Sequence, residues 1–217
     1  MTLAQAAEPT KAKPNERLLH CWRIEQQNFF FGECTIYACP EALKVTFVNG
    51  KWMNIAKAPG WELYVLNPGQ KVYFHTPLDK WKANKVQQNL LNATAAELIN
   101  THKTSKIAGQ IVEETVSKVK DSQQINAHYW IARDMKLPDQ IYHVICGNDI
   151  APNLHAIPFK IAMKSNMVTD AVDTKSCSRV DLPSSFFDLP SGYKMTSNAE
   201  DVMNTGVTGI IKDMAGF

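Results

Sequence analysis

The sequence predicts an α+β fold: a large curved antiparallel sheet, an open half-barrel, with helices covering its concave face. Three observations predict it. Short runs rich in Val, Ile, Thr and aromatic residues recur along most of the chain, which is the pattern of antiparallel strands joined by tight turns. Turn signals such as Asn49-Gly50, Pro59-Gly60 and Pro68-Gly69 separate them. One central stretch, Gln87–Asn100, changes period: Leu90, Leu91, Ala95, Leu98 and Ile99 fall on one helical face among Ala and Glu, which favour helix.

The elements follow in order. Residues 1–14 are polar and contain proline, and read as disordered or as the remnant of an export signal. Ala4-Gln5-Ala6-Ala7 has the small-x-small pattern of a signal-peptidase site, but no basic or long apolar region precedes it, so chance stays open. Arg17–Gln27 and Phe31–Ala38 are the first two strands, with Phe29-Phe30-Phe31-Gly32 between them. Leu43–Val48 and Lys51–Ala56 pair around Asn49-Gly50. Trp61–Thr76 is a hairpin about Asn67-Pro68-Gly69-Gln70. There Pro68 presets φ, and Gly69 is expected to supply the positive φ of a type II turn. After the predicted helix, Ile107–Val119 and Ile125–Met135 are strands, Asp139–Cys146 a short helix, and Pro158–Met163 and Met167–Val180 strands. Asn198–Met203 is a possible short helix, and 205–217 a tail. Residues 15–204 form one half-barrel domain.

Composition narrows the function classes. A chain of 217 residues buries roughly 70% of its unfolded surface and needs no staple. A net charge of +2, with Lys and Arg scattered among Asp and Glu, gives no basic stripe for nucleic acid. No window reaches the ~18 apolar residues of a membrane span. The six histidines have no metal-ligand spacing, and no phosphate-binding or nucleophile motif is present. The expectation is therefore no cofactor, no metal, no catalytic residue and no enzyme. Five cysteines, at 21, 34, 39, 146 and 177, form no C-x-x-C. In an exported chain a hairpin centred near Asn28 would oppose Cys21 and Cys34. Alternatively the cysteines are small buried apolar residues.

Several motifs, in order, resemble a known superfamily. Leu66-Asn67-Pro68-Gly69-Gln70-Lys71-Val72-Tyr73, Ala108-Gly109-Gln110 after Ile107, Tyr129-Trp130-Ile131-Ala132 with Leu137-Pro138, and Phe186-Phe187-Asp188-Leu189-Pro190-Ser191-Gly192-Tyr193 are similar to strands of the LolA/LolB-like proteins. The terminal motif is closest to that of their periplasmic relatives of unknown function. The resemblance implies an exported protein with an apolar pocket for acyl chains. The lipoprotein carriers' own cavity residues do not map onto this chain position by position.

Together these readings give two functions. The first is an exported, periplasmic, non-enzymatic carrier holding a hydrophobic ligand such as a lipid acyl chain. Its pocket is expected from Trp22, Phe31, Met53, Trp61, Tyr64, Tyr73 and Trp130, since apolar pockets are lined by aromatic and adaptable side chains. The segment Gln87–Asn100 would move aside as a plug. The second is a structural or interaction subunit that docks on a partner protein through a sheet edge or aromatic patch.

Overall fold

Two meanders run side by side and are joined by the pairing of the first strand with the eleventh. The computed structural model describes residues 16–29, 32–47, 51–80, 96–119, 124–150, 154–163, 170–197 and 199–203. The first meander is β1 (Leu18–Asn28), β2 (Gly32–Cys39), β3 (Ala42–Phe47), β4 (Trp52–Lys57), β5 (Glu62–Asn67) and β6 (Val72–Pro77). The second is β7 (Ala96–Ile107), β8 (Gln110–Val119), β9 (Ile125–Ile131), β10 (Pro158–Met163) and β11 (Asp170–Pro183). A two-residue strand, β12 (Lys194–Met195), lies parallel to β6. All belong to one twelve-stranded sheet in the order β12-β6-β5-β4-β3-β2-β1-β11-β10-β9-β8-β7.

This corrects the expected α+β class. Among the described residues the fold is an open twelve-stranded sheet with two α-helices, α1 (Asp139–Ile150) and α2 (Ala199–Met203), rather than a sheet with helices covering its concave face. The helix expected at Gln87–Asn100 is corrected over its last five residues. Residues 87–95 lie outside the described residues, but Ala96–Asn100 run as strand, with Ala96 opposite Val119 and Asn100 opposite Thr115. Ladder pairing with a β-branched neighbour strand outweighs the helix preference of Ala and Glu, which is worth only tenths of a kcal/mol per residue. The short helix expected at Asp139–Cys146 is present and extends to Ile150.

Turn chemistry also differs from expectation. In the Asn67–Val72 hairpin the positive φ sits at Lys71 (52°) rather than Gly69. Asn67 Oδ1 accepts the backbone N–H of Gln70 at 3.1 Å, a side-chain mimic of a backbone turn. Ala108 and Gly109 both have positive φ, 46° and 82°. They close a two-residue hairpin between Ile107 and Gln110, the I′ geometry that matches strand twist. The expected strand Ile107–Val119 therefore starts only at Gln110. The Asn49-Gly50 turn lies outside the described residues, and the strands flanking it pair Phe47 with Trp52.

Register sorts the side chains of the first meander onto two faces. Ile24, Ile36, Val45, Leu43, Ala56, Leu63 and Val65 share one face and are nearly inaccessible. They pack with Ile141, Tyr142 and Val144 of α1 and Val202 of α2. The opposite face holds Leu19, Cys21, Cys39, Ala42, Ile55 and Leu66, closed by Leu182 and Phe187. A third cluster, including Tyr129, Ile131, Leu154, Ile161 and Val172, belongs to the second meander.

Two polar devices fix the second meander. Buried Gln26 of β1 donates to Pro158 O at 2.8 Å and to Thr174 Oγ1 at 3.0 Å, and Thr174 Oγ1 donates to Phe159 O at 2.7 Å. At the far edge, β7 bulges between Asn100 and Thr104. The bulge lets Thr101 Oγ1 donate to Glu114 Oε2 at 2.7 Å and brings Lys103 Nζ within 3.5 Å of it. His128 Nδ1 lies 2.8 Å from Glu114 Oε1. Burial pushes the Glu114 carboxyl up, but the bonds from Thr101 and His128 and the Lys103 charge outweigh it and hold it below the usual carboxylate range.

Glu114→Gln is expected to lower stability by about 1–3 kcal/mol at pH 7, the cost of breaking a buried charged network. A depressed folded value means that the carboxylate stabilises above about pH 4.3 and that this is lost as pH falls through the folded value. The gap between wild type and Glu114→Gln in urea melts should therefore narrow below about pH 4.3.

Candidate functional site

The second face of β2–β6 carries an aromatic surface, built by strand alternation and then partly covered by the chain that follows β11. Tyr37, Lys44, Met53, Ile55, Tyr64, Leu66, Tyr73 and His75 occupy alternate or register-matched positions and so point the same way. After Pro183 the chain makes a short 3-10 turn, Ser184–Phe187, and crosses this face. Phe186 meets Tyr37 edge-on at 4.9 Å and Phe187 at 5.2 Å. Lys57 Nζ donates to Ser184 O at 3.3 Å and pairs with Asp188 at 2.6 Å. Beyond Leu189 and Tyr193, which pack on the same cluster, β12 hydrogen-bonds to β6 through Lys194 N to Lys71 O (2.9 Å) and Thr196 N to Tyr73 O (2.8 Å). The segment 184–196 is thus a strap spanning the first meander from β11 to β6.

Under the strap Lys44 is unusual. Its Nζ sits 4.0 Å from the centre of the Phe186 ring and donates to Phe186 O at 3.2 Å. Burial pushes its ammonium down to about 8. Burial likewise raises the Tyr193 phenol.

Beside the strap, Tyr64 and Tyr73 stay partly accessible and His75 is exposed. The Tyr64 ring stacks on His75 at 5.6 Å and lies 6.0 Å from Tyr73, and Tyr73 lies 6.3 Å from His75. His75 also faces Glu62 at 3.3 Å. Met195, register-matched to Tyr73, is 63% exposed.

The residues expected to line a pocket are divided between environments. Met53, Tyr64 and Tyr73 come together on this aromatic face. Trp22, Trp61 and Trp130 pack instead at the margin of the first core cluster. Trp22 has the Arg179 guanidinium 3.4 Å above its ring, and Trp130 stacks on His128 at 5.9 Å. Phe31 lies outside the described residues. Sequence reasoning passed over His75, Tyr193 and Met195. The alternation of His75 with Tyr73 on one strand was the available signal for the first. The other two are placed by the strap, which has no local periodicity.

A separate recess of about 140 Å³ lies in the second meander, lined by Leu98, Asn100, Thr115, Ile131, Arg133 and Leu154. It is about half the volume at the lower end of small-molecule pockets, roughly 300 Å³. Among the described residues no group of three or more His, Cys, Asp or Glu side chains is placed to hold a metal ion. No helix among them is long and apolar enough to cross a membrane.

No protein-family model matches this chain, and no curated protein matches it. Solved structures show distant likeness. An uncharacterized conserved protein from Thermus thermophilus aligns over 81% of this chain and 89% of its own, at 11% identity and a TM-score of 0.47. PNGF-II aligns over 82% of this chain and 31% of its own, at 15% identity and 0.46. MucB, in complex with MucA(peri), aligns over 83% of this chain and 58% of its own, at 12% identity and 0.44. The chain spans less than two thirds of the latter two. At this distance function has to be argued from the site.

Lys44 gives a test of how tightly the strap closes the face. Its folded value of about 8 lies below the ordinary lysine value near 10.4. Between the two the unfolded chain holds more protons, so stability from this group rises with pH, and the burial penalty is full below pH 8. Lys44→Met should therefore melt at a higher temperature than wild type at pH 7, and the difference should shrink between pH 8 and about 10.4.

Proposed function

We propose that this protein is a non-enzymatic interaction subunit that docks a partner protein on the aromatic surface of β5, β6 and β12. The observation that carries this reading is the ring group of partly buried Tyr64 and Tyr73 with exposed His75, beside exposed Met195. Tyrosine supplies large contact area at low entropic cost, with a polar tip that tolerates water before docking. The strap favours the reading because it holds these rings on a braced sheet, and preorganised surfaces lose less entropy on binding.

The sheet edges support docking less well. At one end β6 is capped by β12. At the other, β7 carries a bulge and exposed His102, Lys103 and Lys106, the charged and irregular features that discourage strand addition. Among the described residues, the 140 Å³ recess, whose lining includes Asn100, Thr115 and Arg133, suits a fragment rather than an acyl chain. An exported location belongs to the same proposal. The small-residue run Ala4-Gln5-Ala6-Ala7 favours it.

The test is quantitative capture by wild type, by Tyr64→Ser/Tyr73→Ser and by Lys106→Glu, each checked for an unchanged thermal transition. The surface variant should bind the captured partner about 30-fold more weakly, as expected for a hot-spot loss near 2 kcal/mol. The edge variant should bind as wild type does. Equal binding by all three would overturn the surface, and saturable uptake of a fluorescent fatty acid, displaced by oleate, would restore the carrier.

A further inference from the structure

We propose that Cys21 and Cys39 are a disulfide site, closing across β1 and β2 when the chain folds in an oxidising environment. The register requires their apposition. Trp22 faces Ala38 and Arg23 faces Tyr37, so the antiparallel ladder, carried one step outward, sets Cys21 against Cys39. Directly opposed residues in such a ladder have Cα atoms about 4.5–5.5 Å apart, inside the range of about 4.4–6.8 Å that a disulfide spans. Cys21 Sγ donates to Leu19 O at 3.5 Å and Cys39 Sγ to Ala42 O at 3.6 Å, and the two thiols are close enough to perturb each other's ionisation. Both side chains are buried, at 0% and 1% exposure, in one cluster with Leu19, Ala42, Ile55, Leu66, Leu182 and Phe187.

The hairpin also excludes the pairing expected from sequence. That expectation centred the turn near Asn28, which would oppose Cys21 and Cys34. The observed ladder pairs Asn28 with Gly32 and Gln26 with Cys34, which centres the hairpin on residue 30. Cys34 then faces Gln26 on one side and Phe47 on the other. Cys177 faces Ile24. Neither has a cysteine opposite it on these strands.

The thiols are also electronically unequal. The neighbouring Cys21 thiol and the backbone at Glu41 and Ala42 hold Cys39 below the ordinary thiol value, against its burial. Cys21 is held well above it, first by its neighbour Cys39 and then by burial. Burial alone pushes Cys34 up to about 12 and is the larger effect at Cys177, raised to about 11.

The exchange balances with such a disulfide as oxidant. The Cys39 thiolate attacks one of its sulfurs and expels a thiolate, leaving a mixed disulfide on Cys39. Cys21 then gives up its proton to that thiolate, and its sulfur attacks Sγ of Cys39, expelling the second thiolate. Two protein thiols are oxidised to one S–S bond, and one small disulfide is reduced to two thiols. Full burial in the native sheet places this step during folding, before Leu182 and Phe187 close over the pair.

The test is refolding of the reduced full-length chain in a mixture of oxidised and reduced glutathione. Remaining thiols are then blocked with N-ethylmaleimide, and tryptic peptides mapped by mass spectrometry. The expected product joins peptide 18–23 to peptide 24–44 with the loss of two hydrogens. Cys34 and Cys39 share the second peptide, so fragment ions must place the link on Cys39, and Cys34→Ala must retain it. Reducing the product should lower the thermal midpoint by roughly 6–12 °C, from the loop size and chain length. A link from Cys21 to any other cysteine, or five blocked thiols, would overturn the proposal.

Discussion

The pairing of β1 with β11 is the constraint on which the rest of the molecule depends. Every other antiparallel pair in the sheet joins strands that are consecutive in sequence. Such pairs need little loop closure. The β1–β11 ladder runs from Leu18 opposite Pro183 to Asn28 opposite Val172 and must bring together segments about 150 residues apart. Closing so long a loop is slow and entropically costly. It is offset by burial along the strand, where Leu19, Cys21, Ile24 and Gln26 are all nearly inaccessible. Gln26 adds direction to this burial. Its amide reaches Pro158 O and Thr174 Oγ1, and a one-residue slip would turn it to the other face and leave those acceptors without it.

The same ladder positions the candidate surface. Because β11 ends beside the start of β1, Pro183 delivers the strap to the start of the second face of the first meander. Lys44, Lys57 and Tyr37 then guide it across by a cation–ring contact, an ion pair and an edge-on ring contact. At β6 the chain pairs briefly with Val72 and Tyr73, then turns to place Val202 in the core on the other face. Asn67 Nδ2 donates to Val202 O at 3.1 Å, so a hairpin residue also anchors the end of the strap. The tyrosines left beside the strap are therefore braced by both faces of the sheet.

Much of this was legible in local sequence, because period-two alternation reports a strand with one buried side. Leu43–Phe47 and the Trp61–Thr76 hairpin were readable for that reason. The helix at Asp139 was also readable in place, though not in length. What failed was segment type where composition and pairing disagree. Ala96, Glu97 and Leu98 carry helix preference, but their partners Val119, Lys118 and Ser117 lie on a strand that needs an edge neighbour. The aromatic candidates were legible as residues that matter to packing. Their division into Met53, Tyr64 and Tyr73 on one face and Trp22, Trp61 and Trp130 on the other cluster depends on register across strands, which no single stretch encodes.

Register carries chemical consequences as well as structural ones. Opposing Cys21 to Cys34 would require an odd slip of the ladder, which turns one strand over relative to the other; in the observed register Cys34 shares a face with Ile24 and Ile36, and Cys21 shares the other with Cys39. The register thus decides who faces whom: the partner of Cys21 is Cys39 rather than Cys34. Phe29-Phe30-Phe31 between the strands does not fix the centre by itself, because three aromatic residues carry no turn preference comparable to Asn-Gly. The decision falls to the partner strands. Ile24 matches Ile36 on β2 and Cys177 on β11, and the Asn28–Gly32 closure gives its positive φ to Gly32 (67°), the residue that bears it at least cost. A glycine placed to end a turn thus settles which two sulfurs share the core.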